Sequence, residues 1–218
     1  MARLVNASDR AILLVFDEAM TPEAGRKVRV LASWLREEPL EAVVDLNPAY
    51  SSLLVRYDPL RCDPEALGCD LMRRAGALDG RGELQPRSFE IPVRYGGECG
   101  PDLAPIARAI GITAEAFVAA HSGASYEVRF IGFSPGFPYL SGLPELLHTP
   151  RKTAPRERVP AGSVAIAGGQ AGIYPVPSPA GWNVIGQTYF VLFELENERG
   201  PTLAAGDRVH FRPVLDRP

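Results

Sequence analysis

The chain has 218 residues, enough for one large domain or two small ones, and its 46% hydrophobic and 22% charged residues are ordinary for a globular protein. A net charge of −3 offers no general attraction to nucleic acid or to an anionic membrane. No apolar run approaches the roughly 18 residues of a membrane span, and the first residues lack a signal-peptide pattern, so we expect a cytoplasmic protein.

The first ninety residues alternate between strand and helix patterns. RAILLVFDE predicts a strand, and TPEAGRKVRVLASWLREE predicts a helix with Thr21 as N-cap and Pro22 in its first turn. LEAVVDL and SSLLVRYD predict two strands, DPEALGCDLMRRAGAL a second helix capped by Asp63, and RSFEIPVRY a last strand. The order β-α-β-β-α-β is that of a ferredoxin-like split βαβ domain. It contains no chemical motif, so we interpret it as a scaffold or docking domain.

The glycines and proline of GALDGRGELQPR predict a domain boundary near residues 80–88. We therefore divide the chain into an α+β domain over residues 1–87 and a second domain over residues 88–218.

The second half begins with two short predicted helices, which end at Gly111 and Gly123, and then turns to β-structure. SYEVRFIGF, GSVAIAG, YFVLFELE and DRVHFRPVL are short strand-like segments joined by long turns. This arrangement favours a compact β-barrel over a parallel sheet.

Residues 131–186 hold nine prolines and nine glycines, a composition that could belong to a flexible linker. The segment nevertheless carries many large apolar side chains, including Phe133, Phe137, Tyr139 and Trp182. Apolar residues at this density become buried, and proline lowers the entropy cost of fixing a loop. We therefore predict ordered loops. Phe133 and Phe137 could serve either as core residues or as part of a binding pocket.

Positive charge is concentrated in the same region. From Leu146 to Phe193 there are four cations and one acid. Arg151 and Arg156 stand between prolines in PRKTAPRERVP, and arginine in a stiff loop suits bidentate binding of a carboxylate or phosphate. The alternative is that one or more of these arginines pair with acids from the N-terminal half.

Several familiar chemistries are absent from the sequence. There is no GxxxxGK[ST] phosphate loop, GGQAG lacks the dinucleotide-binding spacing, and the serines do not form a convincing hydrolase triad with the few histidines. The three cysteines and three histidines show no metal-ligand spacing, so we expect free thiols and no bound metal. The residue spacing alone therefore does not identify a reaction.

The segments GFSPGFPYLSGLP, PRKTAPRERVPAGSVAIAGGQAGIYPVPSPAGW and IGQT closely resemble the KipI/PxpB family of 5-oxoprolinase subunits, also called allophanate hydrolase subunit 1. GPDL, HSGASYEVRFIGF and GDRVHF extend the resemblance over most of residues 88–213. It implies an α+β N-terminal domain followed by a cyclophilin-like, carboxyltransferase-type β-barrel. Two positions depart from the family pattern: Ala180 replaces a usual glycine, and Gln187 replaces a usual arginine.

The resemblance implies one component of a larger enzyme, which is inactive alone. Such proteins work with a KipA/PxpC-type subunit and a LamB/YcsF (PxpA)-type subunit to open 5-oxoproline to L-glutamate at the expense of ATP. The Ser-Ser-Lys signature of an allophanate-hydrolysing amidase is absent from this sequence. Because some family members inhibit sensor histidine kinases, the alternative is a binding protein without turnover.

A substrate site follows from the resemblance together with the chemistry of these loops. We predict that Arg151 and Arg156 bind the anionic carboxylate or phosphate, that Gln170 and Tyr174 hydrogen-bond the polar ring edge, and that Trp182 forms the pocket wall. Their grouping depends on the barrel that the resemblance implies.

Further residues complete the predicted site. Phe133, Tyr139 and Ser178 are predicted to contact substrate, and Arg151 is assigned to the catalytic set together with His148. His148 is the candidate proton carrier because the reference pKa of histidine, about 6.5, lies near neutral pH. The alternative for a lone histidine beside a turn is a structural role.

Overall fold

A computed structural model describes residues 2–79, 81, 85–194 and 200–215. The chain divides into two compact units, Met1–Gln85 and Pro86–Pro218. Of the predicted boundary region, residues 80 and 82–84 lie outside the described residues. The first unit contains β1 (Arg3–Ser8), β2 (Ala11–Val15), α1 (Pro22–Glu37), β3 (Val43–Pro48), β4 (Ser52–Tyr57) and α2 (Pro64–Gly76).

The two helices of the first unit begin as the sequence predicts. The Thr21 side chain accepts a hydrogen bond from the backbone N–H of Ala24, and Asp63 accepts one from Glu65. Each cap satisfies an otherwise unpaired N–H of the first turn, and a proline follows each cap. The apolar residues at helical spacing form one core with the sheet, which includes Leu14, Val28, Leu31, Leu35, Leu53, Val55, Leu67 and Leu71.

The sheet of the first unit is antiparallel throughout, with strand order β1-β2-β4-β3. This is a ferredoxin-like sheet, but β1 occupies the edge position beside β2 where the predicted last strand would lie. That placement of RSFEIPVRY was wrong, because residues Ser88–Tyr95 pair inside the second unit. The sequence of β1, RLVNAS, is exposed at nearly every position and carries no apolar alternation that would have predicted it.

The described part of the second unit contains three short helices and nine strands. The helices are α3 (Leu103–Ala109), α4 (Ala114–Ser122) and a 3₁₀ turn (Glu145–Leu147). The strands are β5 (Ser88–Tyr95), β6 (Tyr126–Ile131), β7 (Pro138–Ser141), β8 (Arg156–Val159), β9 (Ser163–Ala167), β10 (Gln170–Ile173), β11 (Ser178–Ala180), β12 (Asn183–Gln187) and β13 (Arg208–Pro213).

Seven of these strands close into a barrel in the order β10-β7-β6-β13-β5-β12-β9, and β8 and β11 form a separate two-stranded sheet. Only β5 and β13 pair in parallel among the barrel strands that the structure describes. The predicted α+β class, with a ferredoxin-like sheet and a closed barrel, is confirmed. The predicted strand YFVLFELE was wrong over residues 189–194, which have no regular structure, and its last two residues lie outside the described residues.

The barrel strands have two differently packed faces. Alternate residues of β9, Val164 and Ile166, belong to a cluster that takes residues from all seven barrel strands, which identifies it as the barrel interior. The intervening residues, Ala165 and Ala167, belong to a second cluster, which must therefore cover the outer face of the barrel. Val159 of β8 also belongs to this outer cluster, so the two-stranded sheet packs there.

The helices α3 and α4 are short, and their apolar residues pack against the barrel interior. No single helix in the described ranges is long and apolar enough to cross a membrane. α3 and α4 reach that length and composition only as a pair, across a bend of 101°.

Candidate substrate-binding site

The outer face of the barrel carries a cluster of aromatic rings centred on Phe137. Its ring centroid lies 5.0 Å from those of Tyr139 and Tyr174, 5.5 Å from that of Phe133 and 5.6 Å from that of Trp182, all with the rings strongly inclined. Such edge-to-face pairs add stability beyond the burial of their area. We call these five residues the aromatic cluster, and four of them are predicted site residues.

A glycine opposite the cluster leaves the space that Phe137 fills. Gly172 of β10 pairs with Tyr139 of β7. A Cβ atom built on Gly172 would lie 2.7 Å from the end of the Phe137 ring, closer than real Cβ contacts allow. The glycine-rich sequence GGQAG therefore serves aromatic packing in the barrel wall.

Phe133 and Phe137 differ in burial, which makes Phe137 a core residue and leaves a pocket role of Phe133 as a prediction. Phe137 is buried, whereas the Phe133 ring is 65% exposed. Phe133 is also the one non-glycine residue with a positive φ (65°) in the part of the chain that the structure describes. A left-handed backbone is costly for a bulky residue and is retained mostly where function requires it. It presents the Phe133 ring to solvent at the margin of the cluster, 6.1 Å from the Tyr174 ring.

Arg151 places a positive charge beside the cluster. Its guanidinium carbon lies 6.0 Å from the centre of the Trp182 ring, within the range of a cation–π contact. Arg151 is exposed, and it has no carboxylate partner among the described residues. The guanidinium therefore remains available to an anionic group that approaches the indole.

Arg156 is used differently from Arg151. Its two terminal nitrogens donate to both carboxylate oxygens of Asp102, at 2.6 and 2.8 Å. Lys152 donates to the same carboxylate at 2.9 Å, and so does the backbone N–H of Val184 at 2.8 Å. Burial alone would raise the pKa of Asp102, but these hydrogen bonds outweigh it and lower the pKa below its ordinary value.

This ion pair can be compared with the alternative prediction that the loop arginines pair with acids from the N-terminal half. Arg156 does pair with an acid, but Asp102 belongs to the second unit and not to the N-terminal half. Asp102 was not predicted as a functional residue, although it lies in the family segment GPDL. The predicted contact between Arg156 and a ligand remains a prediction.

The three remaining predicted residues, Gln170, Ser178 and His148, lie in different local environments. Gln170 begins β10 on the same strand face as Gly172 and is half-buried. The Ser178 hydroxyl donates to the carbonyl of Val176 at 3.0 Å. His148 is exposed, and its Nε2 lies 3.1 Å from the carbonyl oxygen of Leu143. The substrate contacts of Gln170 and Ser178, and the role of His148 as proton carrier, remain predictions.

Tyr174 and Trp182 give the site a rigid base. Both are almost completely buried, at 3% and 5% exposure. Burial raises the pKa of the Tyr174 hydroxyl to about 12, so the phenol stays protonated and can donate a hydrogen bond at neutral pH. A cation over an aromatic wall with a phenol donor can hold a small, flat anion.

A family model identifies the class of protein to which this barrel belongs. The model for the carboxyltransferase domain, subdomain C and D, matches residues 2–204, and this chain belongs to that family. The predicted KipI/PxpB family is confirmed by the relatives that the chain matches.

Two curated relatives are named as the B-subunit of 5-oxoprolinase. The one from Bacillus subtilis (strain 168) is 36% identical over 219 residues, which cover 96% of this chain and 91% of the relative. The one from Escherichia coli O157:H7 is 40% identical over 215 residues, which cover 97% of this chain and 96% of the relative. The similarity therefore extends over nearly the whole of both proteins.

Solved structures agree with the fold. TTHA0988 superposes with a TM-score of 0.82 at 38% identity, over 99% of this chain but only 41% of that protein. The chain thus spans about two fifths of TTHA0988. The Kluyveromyces lactis urea carboxylase superposes with a TM-score of 0.77 at 18% identity, over 98% of this chain and 22% of that protein, which shows a shared fold.

Proposed function

We propose that this chain is the PxpB-type component of an ATP-dependent, cytoplasmic 5-oxoprolinase that converts 5-oxo-L-proline to L-glutamate. A KipA/PxpC-type subunit and a LamB/YcsF (PxpA)-type subunit complete the enzyme. The observation that carries the proposal is the identity of 36–40%, over nearly the full length, to proteins named as the B-subunit of 5-oxoprolinase.

The chemistry of the aromatic cluster supports this substrate. 5-Oxoproline is a small, nearly flat ring with one carboxylate and one lactam group. We assign the carboxylate to Arg151, which lies beside the Trp182 ring, and the flat ring to the accessible Phe133 and Tyr139 side chains of the aromatic cluster. Because Arg156 is engaged by Asp102, we assign the ligand carboxylate to Arg151 alone. The lactam edge falls to Tyr174 or Gln170, either of which can donate a hydrogen bond.

Hydrolysis of an unstrained lactam is slow, and coupling it to ATP requires activation of the carbonyl oxygen. In the complex, ATP would supply this activation, and cations and N–H donors would stabilise the charge that develops on the oxygen. This chain's part is to bind and orient the ring so that its carbonyl oxygen faces the reacting partners.

Co-expression with the two partner subunits tests the proposal. We expect the purified three-subunit complex to release ADP in a 5-oxoproline-dependent manner, and this chain alone to show negligible turnover. Robust turnover by the pure chain, or equal turnover by the partners without it, would contradict the proposal.

The same preparations address the alternative, an inhibitor of a sensor histidine kinase. A binding protein of that type would add nothing to ADP release by the partner subunits and would lower the autophosphorylation of a kinase mixed with it. A complex that is active only in the presence of this chain excludes pure binding as its role.

A further inference from the structure

The Asp102 carboxylate connects three separate segments of the second unit. It lies at the start of α3, where it is 6% exposed. Oδ1 accepts hydrogen bonds from Lys152 and Arg156, and Oδ2 accepts them from Arg156 and the N–H of Val184. A carboxylate offers about four acceptor sites, so these four hydrogen bonds leave Asp102 none for a ligand. It therefore cannot contact substrate directly.

The donors that reach Asp102 lie beside the two residues of the candidate site. Lys152 follows Arg151 in the chain, and Val184 lies two residues after Trp182. Asp102 thus joins the loop that carries the cation to β12, which begins directly after Trp182. Arg156 adds a second connection at the far end of the same loop, where β8 begins.

Backbone contacts complete this arrangement on both sides of Arg151. The N–H of Lys152 donates to the carbonyl of Gly181 at 2.9 Å. The side-chain amide of Asn183 donates to the carbonyl of Pro150 at 2.9 Å. The two neighbours of Arg151 in the chain are therefore hydrogen-bonded to the two neighbours of Trp182. These bonds hold the backbone on both sides of Arg151 and leave its guanidinium to the ligand.

We propose that Asp102 is a positioning residue, whose carboxylate fixes the loop 150–156 against the start of β12, directly after Trp182, and thereby sets the Arg151 guanidinium over the indole for binding of a ligand carboxylate. The identity of the ligand rests on the proposed function, whereas the positioning of Arg151 and Trp182 does not. Asp102 also pairs with Lys152 and Arg156, so that Arg151 presents the one unpaired cation of the loop 150–156, which the structure describes throughout.

Replacement of Asp102 by Asn tests the proposal, because an amide keeps the size of the side chain but loses its charge and half of its acceptors. Asp207 provides a matched control. It is also buried, at 5% exposure, pairs with Arg87 and accepts a hydrogen bond from the N–H of Ala204. Asp207→Asn therefore removes a similar buried carboxylate whose hydrogen bonds lie outside the loop 150–156.

Tryptophan fluorescence gives a readout that requires no activity. The chain has two tryptophans, and a Trp34→Phe background leaves Trp182 as the only one. In this background we expect Asp102→Asn to shift the Trp182 emission to longer wavelength and to increase its quenching by acrylamide. Asp207→Asn should leave both properties at their wild-type values.

Kinetics of the three-subunit complex give the second readout. We expect Asp102→Asn to raise the KM for 5-oxoproline about tenfold, as when a charge-assisted contact loses its geometry, with kcat changed less than about twofold. Asp207→Asn should leave both constants unchanged. A general loss of stability would affect the two variants alike and would not separate KM from kcat.

The outcomes distinguish a failure of the positioning role of Asp102 from a failure of the proposed 5-oxoprolinase function. If Asp102→Asn behaves like Asp207→Asn in fluorescence and in KM, the positioning role is overturned, whether or not the complex hydrolyses 5-oxoproline. If the wild-type complex is inactive on 5-oxoproline, the proposed function fails and the fluorescence comparison alone decides the positioning role. Should Asp102→Asn not fold, Lys152→Met removes one of the hydrogen bonds to Asp102 and Arg156→Met removes two, and an unchanged Trp182 signal in both variants overturns the proposal.

Discussion

At the scale of single residues, Arg151 and Arg156 show how two arginines of one loop serve different purposes. Arg156 is bidentate to a buried carboxylate, while Arg151 lies over the Trp182 ring with its guanidinium exposed. The difference between the two arginines arises from their partners and not from their local sequence.

This difference predicts the effect of replacing Arg151. Arg151→Ala should lower kcat/KM of the reconstituted enzyme at least tenfold, because a charge-assisted contact contributes about 1.5–3 kcal/mol. Arg151→Lys should restore part of the loss, since lysine keeps the charge but not the planar fork. Arg158→Ala is the control: this arginine is exposed on β8, directly after the loop, and we expect its replacement to leave activity unchanged. Wild-type kinetics for an assembled Arg151→Ala complex would place the site elsewhere.

His121 makes a second residue-scale prediction, because it is completely buried at the end of α4. Its Nδ1 lies 2.8 Å from the Tyr95 hydroxyl, its Nε2 has no hydrogen-bond partner among the described residues, and its ring packs against Tyr126 and Phe211. Burial lowers the pKa of His121 to about 3. The folded protein therefore holds this histidine neutral, whereas the unfolded chain takes up a proton below about pH 6.5.

The sign of the pH dependence follows from this difference. Stability due to His121 is complete above about pH 6.5 and falls as pH decreases towards 3, by up to about 1.4 kcal/mol per pH unit. His121→Gln cannot titrate, so its free energy of unfolding should be lower at pH 7.5 but fall less between about pH 6.5 and 4.5. Urea unfolding at several pH values measures this. Parallel pH profiles for the two proteins would contradict the prediction.

At the scale of elements, sequence patterns identified structure where the signal was local. The caps at Thr21 and Asp63 each lie within three residues of the N–H that they bind, so both helices were predicted correctly. Strand β1 was missed because its side chains are exposed, and only pairing with β2 defines it. Strand β5 was assigned to the wrong sheet because its parallel partner, β13, lies more than a hundred residues away.

The sequence predicted the residue types of the candidate site but not the long-range contacts around it. Its residue types were recognisable in the family segments, and five of them, Phe133, Tyr139, Tyr174, Trp182 and Arg151, lie together in the structure. The partner of Arg156 was not predictable, because Asp102 is 54 positions away and its family segment GPDL does not indicate which cation it pairs with. Contacts of this range depend on barrel closure, which no local pattern specifies.

The barrel wall beneath the cluster gives an element-scale prediction. Gly172→Ala would place a Cβ atom 2.7 Å from Phe137 and 3.1 Å from the Pro138 carbonyl. Overpacking of this kind costs about 1–3 kcal/mol, and we also expect a change in near-ultraviolet circular dichroism as Phe137 moves. Gly181→Ala is the matched control beside Trp182, since the nearest atom to its Cβ would lie at 4.0 Å. Equal stability of both variants in urea unfolding would show that strand β10 relaxes freely.

At the scale of the whole molecule, the chain contains separate hydrophobic cores. The first unit has one core formed by its two helices and four-stranded sheet. The second unit has the barrel interior and the outer cluster, whose described residues all belong to that unit. Units with their own cores and of this size are expected to fold independently. Because the candidate site and Asp102 both belong to the second unit, we expect that unit to form the site by itself.

Expression of residues 86–218 alone tests this independence. Barrel closure satisfies the backbone hydrogen bonds of its strands, and the parallel pairing of β5 with β13 joins the start of the unit to its end. We therefore expect this fragment to unfold cooperatively in urea. Trp182 is its only tryptophan, so its emission maximum should match that of the full-length Trp34→Phe variant. Deleting residues 208–215 from the fragment should abolish folding, because it removes β13 and opens the barrel. A gradual unfolding curve for the intact fragment, or an emission maximum typical of exposed tryptophan, would show that the barrel depends on residues 1–85.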